Sequence, residues 1–125
     1  MSAPPARYPG RAPIDAYGNG GFRFAGMSHR GSILCLPSGI YAWTPTQAQD
    51  ISLQTLQPAL TEGDALGLLL VGTGPTGVLP ARDLRQGFAD LGVAVEAMDT
   101  GAACRTYNVL LAEARPVAAA LIAVE

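Results

Sequence analysis

Leu66-Gly67-Leu68-Leu69-Leu70-Val71, running straight into Gly72-Thr73-Gly74-Pro75-Thr76-Gly77, is the stretch that decides the fold class of this chain. An unbroken apolar run closed by a glycine-rich loop is the pattern of a strand buried on both faces of a parallel sheet. The residues after Gly77 agree with it. Pro80 suits the first position of a helix that turns Leu84, Phe88 and Leu91 inward, and Gly92 closes that helix. Val93 to Met98 reads as the next strand. Thr100 reads as the cap of a helix ended by Arg115-Pro116, and Val117 to Val124 as a final buried strand. The second half is therefore βαβαβ, with two helices covering a mixed sheet.

The first half carries β signals of another kind. Phe22-Arg23-Phe24 alternates, Met27 to Gly31 is expected to turn, and Ser32 to Leu36 to return as a hairpin or short meander. Pro37-Ser38-Gly39 interrupts before Ile40 to Trp43. Ser52 to Leu60 suggests a short helix capped by Thr55, since Pro58 fits only its first turn. Residues 1–13, rich in Pro, Ala, Gly and Arg and free of acids, read as a disordered leader. The expectation is one globular α/β domain over residues 14–125.

Composition limits the function. The chain has 125 residues, 49% hydrophobic and only 14% charged, with no lysine and a net charge of −2. Mean hydropathy is +0.24 and the pI is near 5.2. Such a chain offers nucleic acid no general attraction, and no apolar run reaches the ~20 residues that span a bilayer. Low charge fits either a coding bias toward Ala, Gly, Pro and Arg or a surface that a partner covers. Cys35 and Cys104 lack metal-ligand spacing, so a reduced cytosolic setting is the default. No metal or cofactor is expected.

Two segments invite chemistry. Gly72-Thr73-Gly74-Pro75-Thr76-Gly77 matches a dinucleotide-binding glycine pattern, and Glu96 lies 19 residues beyond Gly77. The match fits poorly, because Val78 and Leu79 displace the helix start and Pro75 removes a donor. A tight turn is the simpler reading. Glu96 to Asn108 gathers Glu96, Asp99, Thr100, Cys104, Arg105, Tyr107 and Asn108 around one strand-to-helix joint. A thiol near a helix start can ionise readily, and Arg105 with the free N–H groups could bind an anion or acyl group. The structural alternative is a network pairing Arg105 with Asp99 or Glu96, with Tyr107 a hydrogen-bonded core aromatic and Asn108 bonded to backbone. His29, the only histidine, sits on an expected turn with no evident tie to Cys104. The residues favour a non-catalytic protein. The candidate pocket, if a ligand binds, comprises Gly72, Thr73, Gly74, Glu96, Asp99, Thr100, Cys104, Arg105, Tyr107 and Asn108.

Ile14 to Gly18, Phe22 to Phe24, His29 to Ser32, Leu36 to Gly39, Trp43, Val71 to Gly74 and above all Met98 to Asn108 carry a family resemblance. They resemble a small domain-of-unknown-function family that includes mitochondrial NADH:ubiquinone oxidoreductase (complex I) assembly factor 3. The resemblance implies a three-layer α/β domain with extra N-terminal β structure and a mixed central sheet whose last strand is antiparallel. It also implies a protein partner and a chaperone-like, non-catalytic role in assembling a respiratory or membrane-associated complex. It supplies no catalytic residues. Without an organelle signal, the chain reads as a bacterial cytoplasmic protein.

Overall fold

A computed structural model describes residues 6–125. Its centre is a five-stranded mixed sheet. The strands are β4 (Ser32–Leu36), β5 (Gly39–Trp43), β6 (Leu68–Gly72), β7 (Ala94–Met98) and β8 (Val117–Leu121), in spatial order β5-β4-β8-β6-β7. β6 runs parallel to both neighbours. β8 is parallel to β6 but antiparallel to β4, so the last strand joins the parallel half to the β4–β5 hairpin. β8 is buried along its whole length, as its unbroken apolar sequence requires.

Three layers result. Alternate residues of each strand face opposite ways. Ile33, Cys35, Leu70, Val117, Ala119 and Leu121 meet helix α3 (Thr100–Ala112) and the N-terminal β structure. Leu34, Leu36, Leu69, Val71, Ala118 and Ala120 meet helices α1 (Gln57–Thr61) and α2 (Arg82–Ala89) on the other face.

The N-terminal β structure is a three-stranded antiparallel meander of β1 (Ala16–Gly18), β2 (Gly21–Phe24) and β3 (Met27–Arg30). Asn19-Gly20 and Ala25-Gly26 turn it, all four with positive φ, as two-residue hairpin turns demand. The turn expected over Met27 to Gly31 is thus a strand. His29 is buried within it and Gly31 (φ 94°) redirects the chain into β4.

Other boundaries shift for local reasons. Helix α2 starts at Arg82, with Ala81 as cap and Pro80 outside it. Leu84 and Phe88 face the core, but Leu91 follows the helix and is 42% exposed, leaning over Gly63. Helix α1 is capped at Leu56, not Thr55. Ser52 and Thr55 instead bond each other's backbone N–H in the turn before it. Helix α3 is capped by Asp99, whose carboxylate accepts from Ala102 N at 2.9 Å, while Thr100 is the first helical residue.

The expected loose leader is only partly visible: residues 1–5 lie outside the described residues. From Arg7 onward the leader is tied down, because its backbone and side chains find partners. Arg7 N donates to Ile40 O and Ile40 N to Tyr8 O, Arg11 Nη1 donates to Val117 O, and Ala12 is buried. Among the described residues no helix is long and apolar enough to cross a membrane.

Candidate functional site

The loop after β6 and the start of α3 do come together, at the carboxyl ends of adjacent parallel strands. They meet through hydrogen bonds. Thr73 N donates to Met98 O and Thr100 N to Gly74 O. The Thr100 hydroxyl accepts from Gly74 N at 3.0 Å and donates to Ile122 O at 2.7 Å, with the side chain wholly buried. The Thr73 hydroxyl faces Thr76 O and Met98 O and accepts from Val78 N. Thr73 and Thr100 thus occupy the N–H groups of Gly74 and Val78, which a phosphate would otherwise use. Gly72 lets α3 come this close: a methyl group there would sit 3.0 Å from Thr100 Cα and 3.2 Å from Ala103 Cβ.

The remaining residues of the joint are dispersed by the geometry. Glu96 is exposed on β7, the outer strand, and makes no ion pair among the described residues. Arg105 is also exposed. Its guanidinium donates to the Tyr17 hydroxyl at 3.1 Å, so the expected network with Asp99 or Glu96 is absent among the described residues. The Asp99 carboxylate is engaged at the helix cap, where a short acidic side chain answers both free N–H groups and the positive helix end.

Cys104 lies one turn into α3 and points into the core. Burial pushes its thiol up to about 12, with Arg105 opposing and the Asp99 charge adding to the rise. The lowered thiol pKa anticipated from the helix start is therefore reversed: desolvation outweighs the dipole. Cys35 is wholly buried in the same core layer, and its thiol is raised further by burial and then by Cys104. His29 bonds Ser32 O through Nε2, and burial lowers its pKa. Both thiols stay protonated at neutral pH, so neither is a ready nucleophile.

Asn108 binds backbone as anticipated, accepting from Ile14 N and donating to Ile14 O, both at 2.8 Å. Trp43 covers the core and donates to Thr55 O. Tyr107 departs from expectation. It is fully buried, but its hydroxyl has no hydrogen-bond partner among the described residues, and burial raises its pKa with Arg11 opposing. Tyr17, laid over Gly101 and Arg105, was missed in the sequence, although Asn19-Gly20 marks the hairpin that places it.

Among the described residues, three of the clefts open elsewhere. One of about 380 Å³ crosses the outer face of the β1–β2–β3 meander. One of about 630 Å³ lies between Arg11, Pro13 and the end of α3. One of about 290 Å³ lies beside Val78 to Ala81 and Ile51. None is lined by both the glycine loop and the Asp99–Arg105 turn. Among the described residues no cluster of His, Cys, Asp and Glu could hold a metal ion.

Residues 14–122 match a family model described as protein of unknown function (DUF498/DUF598). An uncharacterized protein of Rhodobacter capsulatus is 39% identical over 115 residues, 92% of this chain and 87% of that one. NADH dehydrogenase [ubiquinone] 1 alpha subcomplex assembly factor 3 of Xenopus tropicalis is 34% identical over 109 residues, 87% of this chain but 60% of that longer protein. Among solved structures, an outer membrane protein from Bartonella henselae superposes with a TM-score of 0.92 at 52% identity, covering 95% of this chain and all of that one.

Proposed function

The chain belongs to the DUF498/DUF598 family, and from that membership we propose that it is a non-catalytic protein-interaction domain that helps assemble a respiratory or membrane-associated complex. The observation that carries the reading is the likeness to assembly factor 3, which runs through 87% of the chain. Chemistry in the joint supports it from the other side. Thr100 and Asp99 are taken up by backbone groups, its thiol is held protonated, and its arginine sits on the surface bonded to Tyr17. Those are the features of a rigid scaffold whose outer surface does the work. We assign the protein to the bacterial cytoplasm, where two unpaired cysteines keep their reduced form.

Deleting the gene and resolving the membrane complexes on a native gel tests this proposal. The expected result is accumulation of partial complexes, restored by the plasmid-borne chain. A wild-type distribution of assembled complexes, with unchanged NADH oxidation by membranes, would refute it.

A further inference from the structure

We propose that the outer face of the β1–β2–β3 meander grips an extended acidic segment of the partner protein, one that carries carboxylates at alternate positions. The inference rests on the interaction-domain reading and names the surface and the chemistry of the partner. Cross-strand register puts Ala16, Arg23 and Ser28 in one row, and Gly18, Gly21 and Arg30 in the next, on a single face. The opposite face carries Phe22, Phe24 and His29 into the core, so this one points outward. It holds the cleft of about 380 Å³.

Arg23 and Arg30 are both exposed there, and neither forms an ion pair among the described residues. They are diagonal neighbours on adjacent strands, positions that stand about 7–8 Å apart, and two cations that close together favour an anion across them. Alternate side chains of an extended chain are spaced about 7 Å apart, so two carboxylates two residues apart match the two guanidinium groups. The floor between them is Gly21 and Ser28, and Ala16 and Gly18 continue it over β1, small residues that allow a backbone to lie close. Gly21 cannot be anything larger, because a methyl group there would collide with the His29 carbonyl.

Charge distribution supplies direction. This face holds Arg23 and Arg30 and no acid, whereas the rest of the chain holds six arginines and ten acids. An acidic segment is therefore drawn to this face and repelled by the rest of the surface.

The test titrates the full-length, nitrogen-15-labelled protein with a capped peptide of alternating Glu and Thr at low salt, following backbone amide shifts. Shifts confined to residues 16–30 are expected. Affinity should fall at least about tenfold on raising salt to physiological levels or above, and at least about tenfold in R23Q/R30Q, with the rest of the spectrum unchanged. Absent shifts, shifts centred elsewhere, or equal binding of a Gln-Thr peptide would overturn the proposal. So would inorganic phosphate producing the same shifts at equal charge, since that marks a small-anion site. Complementing the deletion strain with R23Q/R30Q separates the two readings. Full rescue by that variant sinks this face and leaves the assembly role standing, whereas a deletion without phenotype sinks the assembly role itself.

Discussion

Replacing Thr100 with Val tests the central joint with little change of shape. The hydroxyl becomes a methyl group in a side chain with no solvent exposure. Two buried backbone groups lose their partner at once: Gly74 N–H, which donates to Oγ1 at 3.0 Å, and Ile122 O, which accepts from it at 2.7 Å. Each buried group left unsatisfied costs about 1–3 kcal/mol. We expect a loss of about 2–6 kcal/mol, a large share of the ~5–15 kcal/mol that holds a domain folded. At roughly 3–5 °C per kcal/mol for a domain this size, Tm should drop by about 6–30 °C. Urea unfolding followed by Trp43 fluorescence gives the same quantity, with an unchanged m-value if the native fold is kept. T100S keeps both bonds and loses only a methyl group, at about 0.5–1.5 kcal/mol. If T100V lies within about 0.5 kcal/mol of wild type, or if T100S costs as much, the hydroxyl does not hold the joint.

Three further outcomes concern the same region. D99A removes the α3 cap and should cost about 0.5–2 kcal/mol, while D99N, which can still accept from Ala102 N, should cost clearly less; chemical denaturation of both variants decides it. G101A places a methyl group 2.5 Å from the Tyr17 hydroxyl. It should destabilise wild type but stabilise a Y17A background by about 0.5–1 kcal/mol, since Ala outranks Gly in a helix; the same sign in both backgrounds contradicts the contact. Stability should also fall with alkaline pH. The Cys104 thiol titrates near 9 when unfolded and at about 12 when folded. Its contribution is complete below pH 9 and is lost above it, at about 1.4 kcal/mol per pH unit. Cys35, raised by burial too, steepens the fall. Urea midpoints that stay level from pH 8 to about 10 would show that the thiols are not desolvated.

Leu68 to Val71 and Val117 to Leu121 announced their strands because burial on both faces demands an unbroken apolar run. The meander was harder to read. Met27 to Arg30 has the polar look of a turn, yet its alternation with Gly31 as pivot makes it an edge strand whose His29 faces inward. Polar density between Glu96 and Asn108 suggested a pocket. Neighbours in sequence leave a strand and a helix in different directions, so Asp99 turns back to the helix, Arg105 reaches Tyr17 and Asn108 reaches Ile14. Those last two partners lie 88 and 94 residues away, beyond any local pattern. The orphaned Tyr107 hydroxyl has no signal in the sequence, because only three-dimensional packing decides whether a phenol finds an acceptor.

The place of β8 in the sheet has a consequence for biosynthesis. It is the last of the eight described strands to leave the ribosome, yet it is the middle strand, flanked by β4 and β6. Until residue 121 is free of the exit tunnel, the β4–β5 hairpin and the β6–α2–β7 unit have no strand to join them. A nascent chain of this kind waits with two open sheet edges, the state most prone to mispairing with other chains. Closure of the sheet is thereby delayed until β8 has emerged, and a chain stopped short of Val117 holds two half-sheets that cannot close.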